Sequence, residues 1–462
     1  MNDTRNKDIN KLTLQVFMQT VGSSMVMVYM NLFMTDYLMI AAATVSTALV
    51  IAKTIDLVFS VVAGPIMEKV RFKNGKYRPW LNIVKWLLFI SFTLTYLNTY
   101  ELGVRSEWLR AGVIIVSYVG FGAGMSLLMI CRGGVLQYMA GADMGIRAKI
   151  SARQAQATAA ATIITSACVL PLIKLVGGFT GDKWAYWVTC TFLALFMLFG
   201  AGGMARLAKN YDAPSDAAAK KTVTVKDMFN AVAGNSQLLI MILSMGIFYI
   251  SMNVLTGIQV YYFRYIINDY GFMATSMTIK TAFAFVASLF IPRLGKKLGK
   301  RMSYVVGLLG YAASMVFIGV FGGSSKWIFT IGTCLFTAFM YMFSSFGVNY
   351  FLDCGEYGYH KTGKDYRSTA MAMFNLPMKI GFVGGSAIAG YGLAAIGYKP
   401  GMEITADFTS KYMLIIGTIP AVLCVLAAVI FLVGYKIKDE DAARYAKENA
   451  ERDAAMAVAQ AN

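Results

Sequence analysis

The sequence is poor in the residues from which catalytic and metal sites are built. Histidine occurs once, as His360, and the six cysteines show no paired spacing. Because the single histidine lies in a predicted cytoplasmic connection, we predict no histidine-ligated metal cluster, no Ser-His or Cys-His catalytic pair and no zinc cluster. The nearest match to a phosphate-binding loop, Gly295 to Lys300, has the wrong spacing and follows an apolar run. The sequence therefore predicts no catalytic residue and no bound metal, and it argues against an ATP-driven pump.

Charged residues are scarce too. They make up 14% of the chain, against 57% hydrophobic residues, and the mean hydropathy is +0.58. Soluble domains carry about 25% charged residues, so the apolar excess must face lipid. Apolar runs of about twenty residues recur, long enough at 1.5 Å per residue to cross a hydrocarbon core of about 30 Å. Because lipid offers the backbone no hydrogen-bond partner, these runs are predicted to be helices of an all-α membrane protein.

Twelve apolar runs are predicted as transmembrane helices, at 12–38, 41–68, 80–99, 111–139, 151–176, 184–207, 236–265, 272–294, 302–322, 327–352, 368–395 and 411–435. A long polar stretch from Asn210 to Lys226 separates the first six from the last six. The prediction is therefore an N-terminal six-helix half, a cytoplasmic linker, a C-terminal six-helix half and a cytoplasmic tail, at 1–207, 208–235, 236–436 and 437–462. The tail is predicted to be a solvated helix.

Basic residues outnumber acidic ones, 42 Lys and Arg against 24 Asp and Glu. In a soluble protein this excess would suggest nucleic acid as a partner. Here the basic residues concentrate in alternate connections between the apolar runs, which is the positive-inside pattern of membrane proteins. We therefore predict that both termini are cytoplasmic and that nucleic acid is not a partner.

The second apolar run carries ionisable residues. Lys53 and Asp56 are three positions apart and share one helix face, with Ser60 one turn further along. A charge inside the membrane costs about 2.5–3.5 kcal/mol on insertion scales, so it needs a partner or a water-filled cavity. Two interpretations stay open: the three residues form a site for a coupling cation or proton, or Lys53 and Asp56 form a structural ion pair.

Two further cations lie within apolar runs. Arg132 is placed two turns or more before the end of the fourth run, too deep for its side chain to reach the interface easily. Lys379 lies near the middle of the eleventh run, beside Pro377, which interrupts the backbone hydrogen bonds of a helix. We predict that both line a central cavity, and the alternative is a buried pair with a neighbouring acid.

At these residues the chain resembles the glycoside-pentoside-hexuronide:cation symporters, the melibiose permease-like family of the major facilitator superfamily. Ala52–Asp56 and Glu68–Trp80 look like the family's second helix and the hairpin after it. Asp353–Gly363 looks like its tenth-to-eleventh connection, Asn375–Lys379 like the lysine-bearing part of its eleventh helix, and Ile396–Pro400 like the pattern that follows. The resemblance covers nearly the full length and implies the twelve-helix major facilitator fold of two six-helix halves.

The resemblance also implies roles for individual residues. Asp56 belongs to the cation site with Lys53 beside it, and Lys379 lines the central cavity. With these we assign five residues to the substrate cavity: Arg132, Lys379, Asn375, Thr20 and Tyr29. We assign seven to cytoplasmic gating: Glu68, Arg71, Arg147, Arg153, Asp353, Glu356 and Arg367.

The chain departs from the family at the cation site and in the substrate cavity. The family's second helix carries a second aspartate one turn after the first, where this chain has Ser60, and an amide where it has Phe59. A sodium ion prefers several hard oxygen ligands with compensating negative charge, so the departure favours a proton as the coupling ion. Thr20 stands where galactoside-transporting relatives carry an aspartate, so a melibiose-like galactoside is not expected.

The sequence thus predicts a proton-coupled symporter that moves a glycoside, hexuronide or related small polar metabolite by alternating access. Cations outnumber acids in the central spans, and a guanidinium such as that of Arg132 can hold a planar carboxylate, so an anionic solute is the sharper hypothesis. The alternative is an uncoupled facilitator or exporter of an organic anion. A channel fits less well, and a membrane enzyme or scaffold would need features that the sequence lacks. We expect a multi-pass monomer in the lipid bilayer of the cell inner membrane, with no cofactor except co-transported H⁺ or Na⁺.

Overall fold

The computed structural model describes residues 2–70, 72, 75–140, 144–212 and 225–461, and in these residues the regular structure is helical. The helices are α1 (Asn2–Val28), α2 (Met30–Leu32), α3 (Ala42–Lys69), α4 (Arg78–Thr95), α5 (Glu107–Ala140), α6 (Met144–Thr180), α7 (Asp182–Ala208), α8 (Val225–Ala233), α9 (Ser236–Tyr261), α10 (Phe272–Leu298), α11 (Lys300–Phe321), α12 (Lys326–Ser344), α13 (Gly347–Thr362), α14 (Arg367–Ala372), α15 (Leu376–Ala395), α16 (Ala406–Gly434) and α17 (Asp439–Ala461). Phe33–Tyr37 and Tyr262–Ile266 are π-helical, and Gly322–Ser324 and Met373–Asn375 are 3₁₀ turns.

Nine helical stretches in the described part of the chain are long and apolar enough to cross a membrane. They correspond to nine of the predicted runs. The other three predicted runs coincide with α1 and its continuation, with α4, and with α14 and α15. The all-α membrane fold is confirmed, and the count of twelve stays a prediction.

The structure corrects the end of the tenth predicted span. The sequence places a connection at Asp353–Gly363, whereas the structure continues as α13 to Thr362. Gly363 ends this helix with a φ of +68°, and its N–H donates to the carbonyl of Tyr359 at 2.9 Å. A left-handed glycine just after the last turn is a common helix stop. The acids of this predicted connection, Asp353 and Glu356, therefore stand on a helix.

The described chain forms two compact units. Unit 1 comprises Met1–Thr222, Thr256–Thr281 and Ser386–Thr405, and unit 2 comprises Val223–Leu255, Ala282–Gly385 and Ala406–Asn462. In unit 1, α1 packs against α6 and α7, and α5 packs against α3 and α4. In unit 2, α11 packs against α12 and α16, and α13 packs against α14 and α17. Unit 1 contains segments from both predicted halves, and the division at the linker stays a prediction.

Within unit 1, an aspartate from the start of the predicted linker caps α4. The Asp212 carboxylate accepts hydrogen bonds of 2.7–3.1 Å from the backbone N–H groups of Lys76, Tyr77 and Arg78. An acidic group at a helix N-terminus satisfies unpaired donors and complements the helix dipole. Gly75, just before them, has a φ of +99°, and a Cβ there would lie 2.2 Å from Asp212 Oδ2. Glycine is thus required where this hairpin turns into α4.

Unit 2 has a matching arrangement at the start of α11. The Asp439 carboxylate, just beyond α16, accepts from the backbone N–H of Lys300 at 3.3 Å. The preceding Gly299 has a φ of +78°, and a Cβ there would lie 3.2 Å from the same carboxylate. The hairpins that precede α4 and α11 therefore end in the same way, with a left-handed glycine and an aspartate cap.

Candidate functional site

Lys53 and Asp56 lie on α3, away from its ends, as the sequence predicts. The Asp56 side chain is buried, and the Lys53 Nζ donates to Ser386 Oγ at 2.5 Å. Ser60 donates its hydroxyl to the carbonyl of Leu57 on its own helix at 2.7 Å. A hydroxyl bound in this way can serve a cation only through its oxygen lone pairs. The assignment of these three residues to a coupling site stays a prediction.

Two residues of α5 complete the surroundings of Lys53 and Asp56. The ring of Tyr118 lies with its centroid 5.9 Å from Lys53 Nζ. One turn further along, a Cβ on Gly122 would lie 2.4 Å from Asp56 Oδ1, below any ordinary contact. Only glycine lets α5 approach the carboxylate this closely. The sequence analysis did not assign Tyr118, Gly122 or Ser386 to this site, because a tyrosine, glycine or serine in an apolar run carries no charge signal.

Arg132 lies about 15 Å beyond Gly122 along the same helix, at 1.5 Å per residue. Its side chain is partly buried, and its Nη2 donates to Met129 Sδ at 2.8 Å. None of the acids whose side chains the structure describes forms an ion pair with it. A guanidinium in such surroundings can still accept a bidentate anion.

The other residues assigned to the cavity are distributed over both units. In unit 1, Thr20 donates its hydroxyl to the carbonyl of Val16 at 2.9 Å, and Tyr29 is buried. In unit 2, Asn375 is exposed in the 3₁₀ turn before α15, and Lys379 is partly exposed in the first turn of α15. The prediction that these four residues contact one substrate with Arg132 stays a prediction.

The predicted gating residues of the N-terminal half are only partly covered by the structure. Arg71 lies outside the described residues, and so do the side chains of Glu68 and Arg147. Arg153 is exposed on α6. Their role in cytoplasmic closure stays a prediction.

The predicted gating residues of the C-terminal half take part in charged contacts in unit 2. Asp353 pairs with Lys300, and Glu356 lies 3.6 Å from the Arg367 guanidinium. Arg367 also binds both carboxylate oxygens of Asp365, at 2.9 and 2.8 Å. Arginine is suited to such a network because its planar fork can serve several carboxylates at once.

The tail helix α17 belongs to this network, which the sequence analysis missed. Arg367 Nη2 donates to Asp453 at 2.9 Å, and Asn449 Nδ2 donates to Glu356 Oε2 at 2.7 Å. The single histidine, His360, lies with Nε2 2.7 Å from the Glu448 carboxylate. The predicted solvated helix is thus a helix with one face bound to α13 by polar contacts.

Arg367→Gln is expected to loosen the docking of α17, because Arg367 at the start of α14 binds Asp453 of the tail helix. Hydrogen bonds from Tyr359 and Arg367 lower the pKa of Asp453, and the Arg367 hydrogen bond lowers the pKa of Asp365. A carboxyl with a lowered pKa stabilises the docked state above its ordinary pKa near 3.8, and this contribution disappears as the pH falls through the lowered value. At neutral pH we expect the backbone amides of α17 to exchange hydrogen faster in the variant than in the wild type. In the wild type, the amides of α17 should lose this protection only at acid pH.

Arg444→Gln is the matched control for this prediction, measured by the same hydrogen-exchange experiment. Arg444 lies on α17, and among the described residues its ion-pair partner is Asp441, three residues away on the same helix. Its loss should leave the exchange of α17 unchanged. Equal exchange in wild type and Arg367→Gln would show that the network does not hold the tail.

A second cluster in unit 1 surrounds Asp36, which the sequence analysis did not single out. The side chain is 4% exposed. Its carboxylate accepts from the hydroxyls of Thr35 and Tyr398 at 2.7 Å each, and from the hydroxyl of Tyr265. The Arg264 Nε lies 3.4 Å from the same carboxylate. One buried acid thus binds residues from two remote stretches of sequence as well as its neighbour Thr35.

Arg264 is held by aromatic rings as well as by Asp36. Its guanidinium carbon lies 5.6–5.7 Å from the ring centroids of Tyr37, Tyr265 and Tyr270. Such cation–π contacts add about 0.5–2 kcal/mol each, more where the cation is shielded from water. The ion pair is therefore stabilised from several directions.

The backbone on both sides of this ion pair is unusual in the same way. Asp36 lies in the π-helical segment Phe33–Tyr37, and Arg264 lies in Tyr262–Ile266. Shortly after each segment comes a non-glycine residue with positive φ, Met39 at +50° and Asn268 at +53°. Both π-turns and positive φ at non-glycine residues are uncommon, and they occur more often at functional sites. The cluster is therefore a candidate functional element.

The comparison with known proteins decides the class of the molecule. The family model for MFS/sugar transport proteins matches residues 16–439. The chain belongs to this family. As a member of the major facilitator superfamily it is a membrane transporter and not an enzyme, and the resemblance to the glycoside-pentoside-hexuronide symporters is confirmed.

Relatives of this MFS/sugar transport protein are similar over most of their length. The uncharacterized symporter YjmB of Bacillus subtilis is 26% identical over 91% of this chain and 90% of its own. A putative 2,3-dihydroxypropane-1-sulfonate exporter of Salmonella typhimurium is 25% identical, over 91% and 90%. A glucuronide carrier protein homolog of Escherichia coli is 22% identical, over 86% and 85%.

Solved structures of other transporters share the fold. The nucleoside transporter NupG matches with a TM-score of 0.67 at 12% identity, over 93% of this chain and 100% of its own. At this identity the match concerns the fold alone.

In the described residues of this family member, no group of three or more His, Cys, Asp or Glu side chains is arranged to hold a metal ion.

Proposed function

We propose that this transporter is a proton-coupled symporter in which Asp56 takes up the coupling proton. The observation that carries the proposal is the buried Asp56 carboxylate, away from the ends of a helix apolar enough to cross a membrane, with Lys53 on the same face. A buried acid of this kind is costly to keep ionised and is a default functional site in a membrane protein. A named symporter among the relatives supports coupled transport.

The proposed topology is that of the sequence prediction: twelve spans in two halves, with both termini in the cytoplasm. The concentration of basic residues in alternate connections supports it. So does the repeated helix start, where Gly75 with Asp212 and Gly299 with Asp439 form the same capped hairpin. In this topology the Asp36 cluster lies at the extracellular ends of its helices, and we propose that it holds them together in one state of alternating access.

We further propose that the substrate is an anionic sugar derivative or a similar small organic anion. Two of the relatives are named for anionic compounds, a sulfonate and a glucuronide. Arg132 supports the same class, because its guanidinium is partly buried and forms no ion pair with the described acids. A buried cation without an acid favours an anionic ligand.

Export is the second candidate, and the sulfonate exporter among the relatives favours it. The direction of transport can be measured separately from its coupling to protons. Vesicles loaded with methyl β-glucuronide and placed in substrate-free medium should retain it if the protein works as an importer driven by an inward proton gradient. Rapid loss of the glucuronide against that proton gradient would instead identify an exporter.

Binding of a matched pair of sugars tests the substrate class. Methyl β-glucuronide and methyl β-glucoside differ only in a carboxylate against a hydroxymethyl group. We expect the purified protein to bind the glucuronide at least tenfold more tightly, about 1.4 kcal/mol, in a thermal-shift or calorimetric titration. Arg132→Gln should erase this preference, because it removes the bidentate donor.

Two variants serve as references in this titration. Arg132→Lys retains a positive charge but loses the planar pair of guanidinium donors. It should therefore keep only part of the preference for the glucuronide over the glucoside. Arg105→Gln removes an exposed arginine and should bind like the wild type. Equal affinity for the two sugars, or tighter binding of the glucoside, would refute an anionic site while the family assignment stands.

A further inference from the structure

In unit 1, the helices α3 and α15 meet along a close seam formed by small residues. Ser46 on α3 donates its hydroxyl to the carbonyls of Ser386 and Ala387 on α15, at 3.2 and 3.1 Å. Gly390 allows the approach, since a Cβ there would lie 2.6 Å from Ser46 Cβ. Thr47 and Tyr391 join hydroxyls at 2.9 Å at the edge of the seam. The two helices are therefore held together by hydrogen bonds as well as by packing.

Ser386 binds α3 a second time, through its side chain. Its hydroxyl oxygen accepts from the ammonium of Lys53 at 2.5 Å. Both Ser386 and Asp56 are buried, and the ammonium also lies 5.9 Å from the ring centroid of Tyr118. The Lys53 side chain is partly buried. Its ammonium has three donors that need acceptors, so a neutral hydroxyl at this point helps to hold the charge.

We propose that Ser386 is a positioning residue that fixes the Lys53 ammonium and thereby sets the proton affinity of Asp56. The inference rests on the proposed function, because it concerns the same coupling site. Among the described residues, the groups shown to interact with Lys53 include Asp56 from α3, Tyr118 from α5 and the Ser386 hydroxyl from α15. When Asp56 takes up a proton it loses its negative charge, and Ser386 keeps the ammonium solvated. Ser386 thus stabilises the state in which Asp56 is protonated, and it links this state to the packing of α3 against α15.

The consequence of removing the hydroxyl has a definite sign. Without Ser386 Oγ the ammonium depends more on the Asp56 carboxylate, and a closer positive charge favours the ionised acid. Asp56 should then take up its proton only at lower pH. A residue that served only to pack the seam would not have this effect.

Infrared difference spectroscopy of the purified full-length protein measures this without any substrate. The carbonyl stretch of a protonated carboxyl group that is present in the wild type and absent in Asp56→Asn reports the protonation of Asp56. In Ser386→Ala we expect the midpoint of this band to fall by about one pH unit or more. Ser386→Thr retains the hydroxyl and should keep the wild-type midpoint.

Ser46→Ala is the matched control, because it weakens the same seam without touching the ammonium. It should leave the midpoint unchanged, and Ser386→Ala should have no further effect in a Lys53→Met background. The inference is overturned if Ser386→Ala keeps the wild-type midpoint, or if Ser46→Ala shifts it equally. Absence of any Asp56-dependent band between pH 4 and 10 would instead overturn the proposed proton site itself.

Discussion

Asp56→Asn is expected to abolish uphill accumulation of substrate, while exchange of substrate across the membrane persists. The amide has nearly the same shape as the carboxyl group but cannot gain or lose a proton. Substrate binding elsewhere in the transporter would be retained, and only the connection to the proton gradient would be lost. In proteoliposomes, accumulation of methyl β-glucuronide driven by a pH gradient should fall to the level of protein-free vesicles, while counterflow should continue.

Two glycine variants of α5 sharpen this test. Gly122→Ala places a Cβ 2.4 Å from Asp56 Oδ1, so the carboxylate must move, and coupling should weaken without removal of the acid. Gly133→Ala lies on the same helix, where a new Cβ meets no atom within 4 Å, and it should transport normally. If Asp56→Asn still concentrates substrate, or if the two glycine variants behave alike, the coupling site lies elsewhere.

Asp56 could be found from the sequence because a charge within a long apolar run is costly and therefore conspicuous. The same reasoning located Lys53, Arg132 and Lys379, and the apolar runs themselves predicted the all-α membrane fold. Each of these inferences needs only a local window of sequence. Hydrophobicity and helix spacing are properties of such windows. The helices of the described residues agree with the predictions that depend on these two properties.

The partners of these charges could not be predicted in the same way. Ser386 is an ordinary serine of the eleventh run, and only the packing of α3 on α15 brings its hydroxyl to Lys53. Gly122 matters because of its distance from Asp56, which no pattern within α5 reveals. The tail helix shows the same limit, since its composition predicts a helix but not its contacts with Arg367 and Glu356.

Asp36 was missed for a different reason. It stands at the end of an apolar run, where an acid is unremarkable because water is near. Its burial depends on Arg264, Tyr265 and Tyr398, which approach from far along the chain. The π-helical turns that present these residues are rare and were not part of the predicted helix pattern. Long-range polar networks of this kind become visible only in the folded structure.

Asp36→Asn is expected to open the end of unit 1 that the proposed topology places outside the cell. The variant keeps an oxygen acceptor for Tyr398 and Thr35 but leaves the Arg264 guanidinium without its counter-ion. Breaking a buried ion pair from one side costs about 3–5 kcal/mol, because the remaining charge is uncompensated. Since about 1.4 kcal/mol corresponds to a tenfold change in population, the closed arrangement should become at least tenfold less favoured.

The accessibility of a reporter cysteine measures this opening. Leu38 lies directly after the π-helical segment of Asp36 and is fully buried. In a background with the exposed Cys168 changed to Ser, Leu38→Cys should react slowly with a membrane-impermeant maleimide added from outside. Adding Asp36→Asn should raise its reaction rate at least tenfold, and Arg264→Gln should do the same. The loss of stability of the closed arrangement in the double variant should be smaller than the sum of the losses in the two single variants, because both substitutions remove the same interaction.

The ion pair between Lys183 and Glu101 provides the control for charge loss on the same side. Its atoms are 3.1 Å apart, but the Lys183 side chain is 69% exposed, so the pair contributes at most about 1 kcal/mol. Glu101→Gln should therefore leave the reaction rate of Leu38→Cys unchanged. If Glu101→Gln raises the rate as much as Asp36→Asn, a general loss of negative charge explains the effect. If Asp36→Asn leaves the cysteine protected, the four donors on Asp36 do not hold the extracellular end closed.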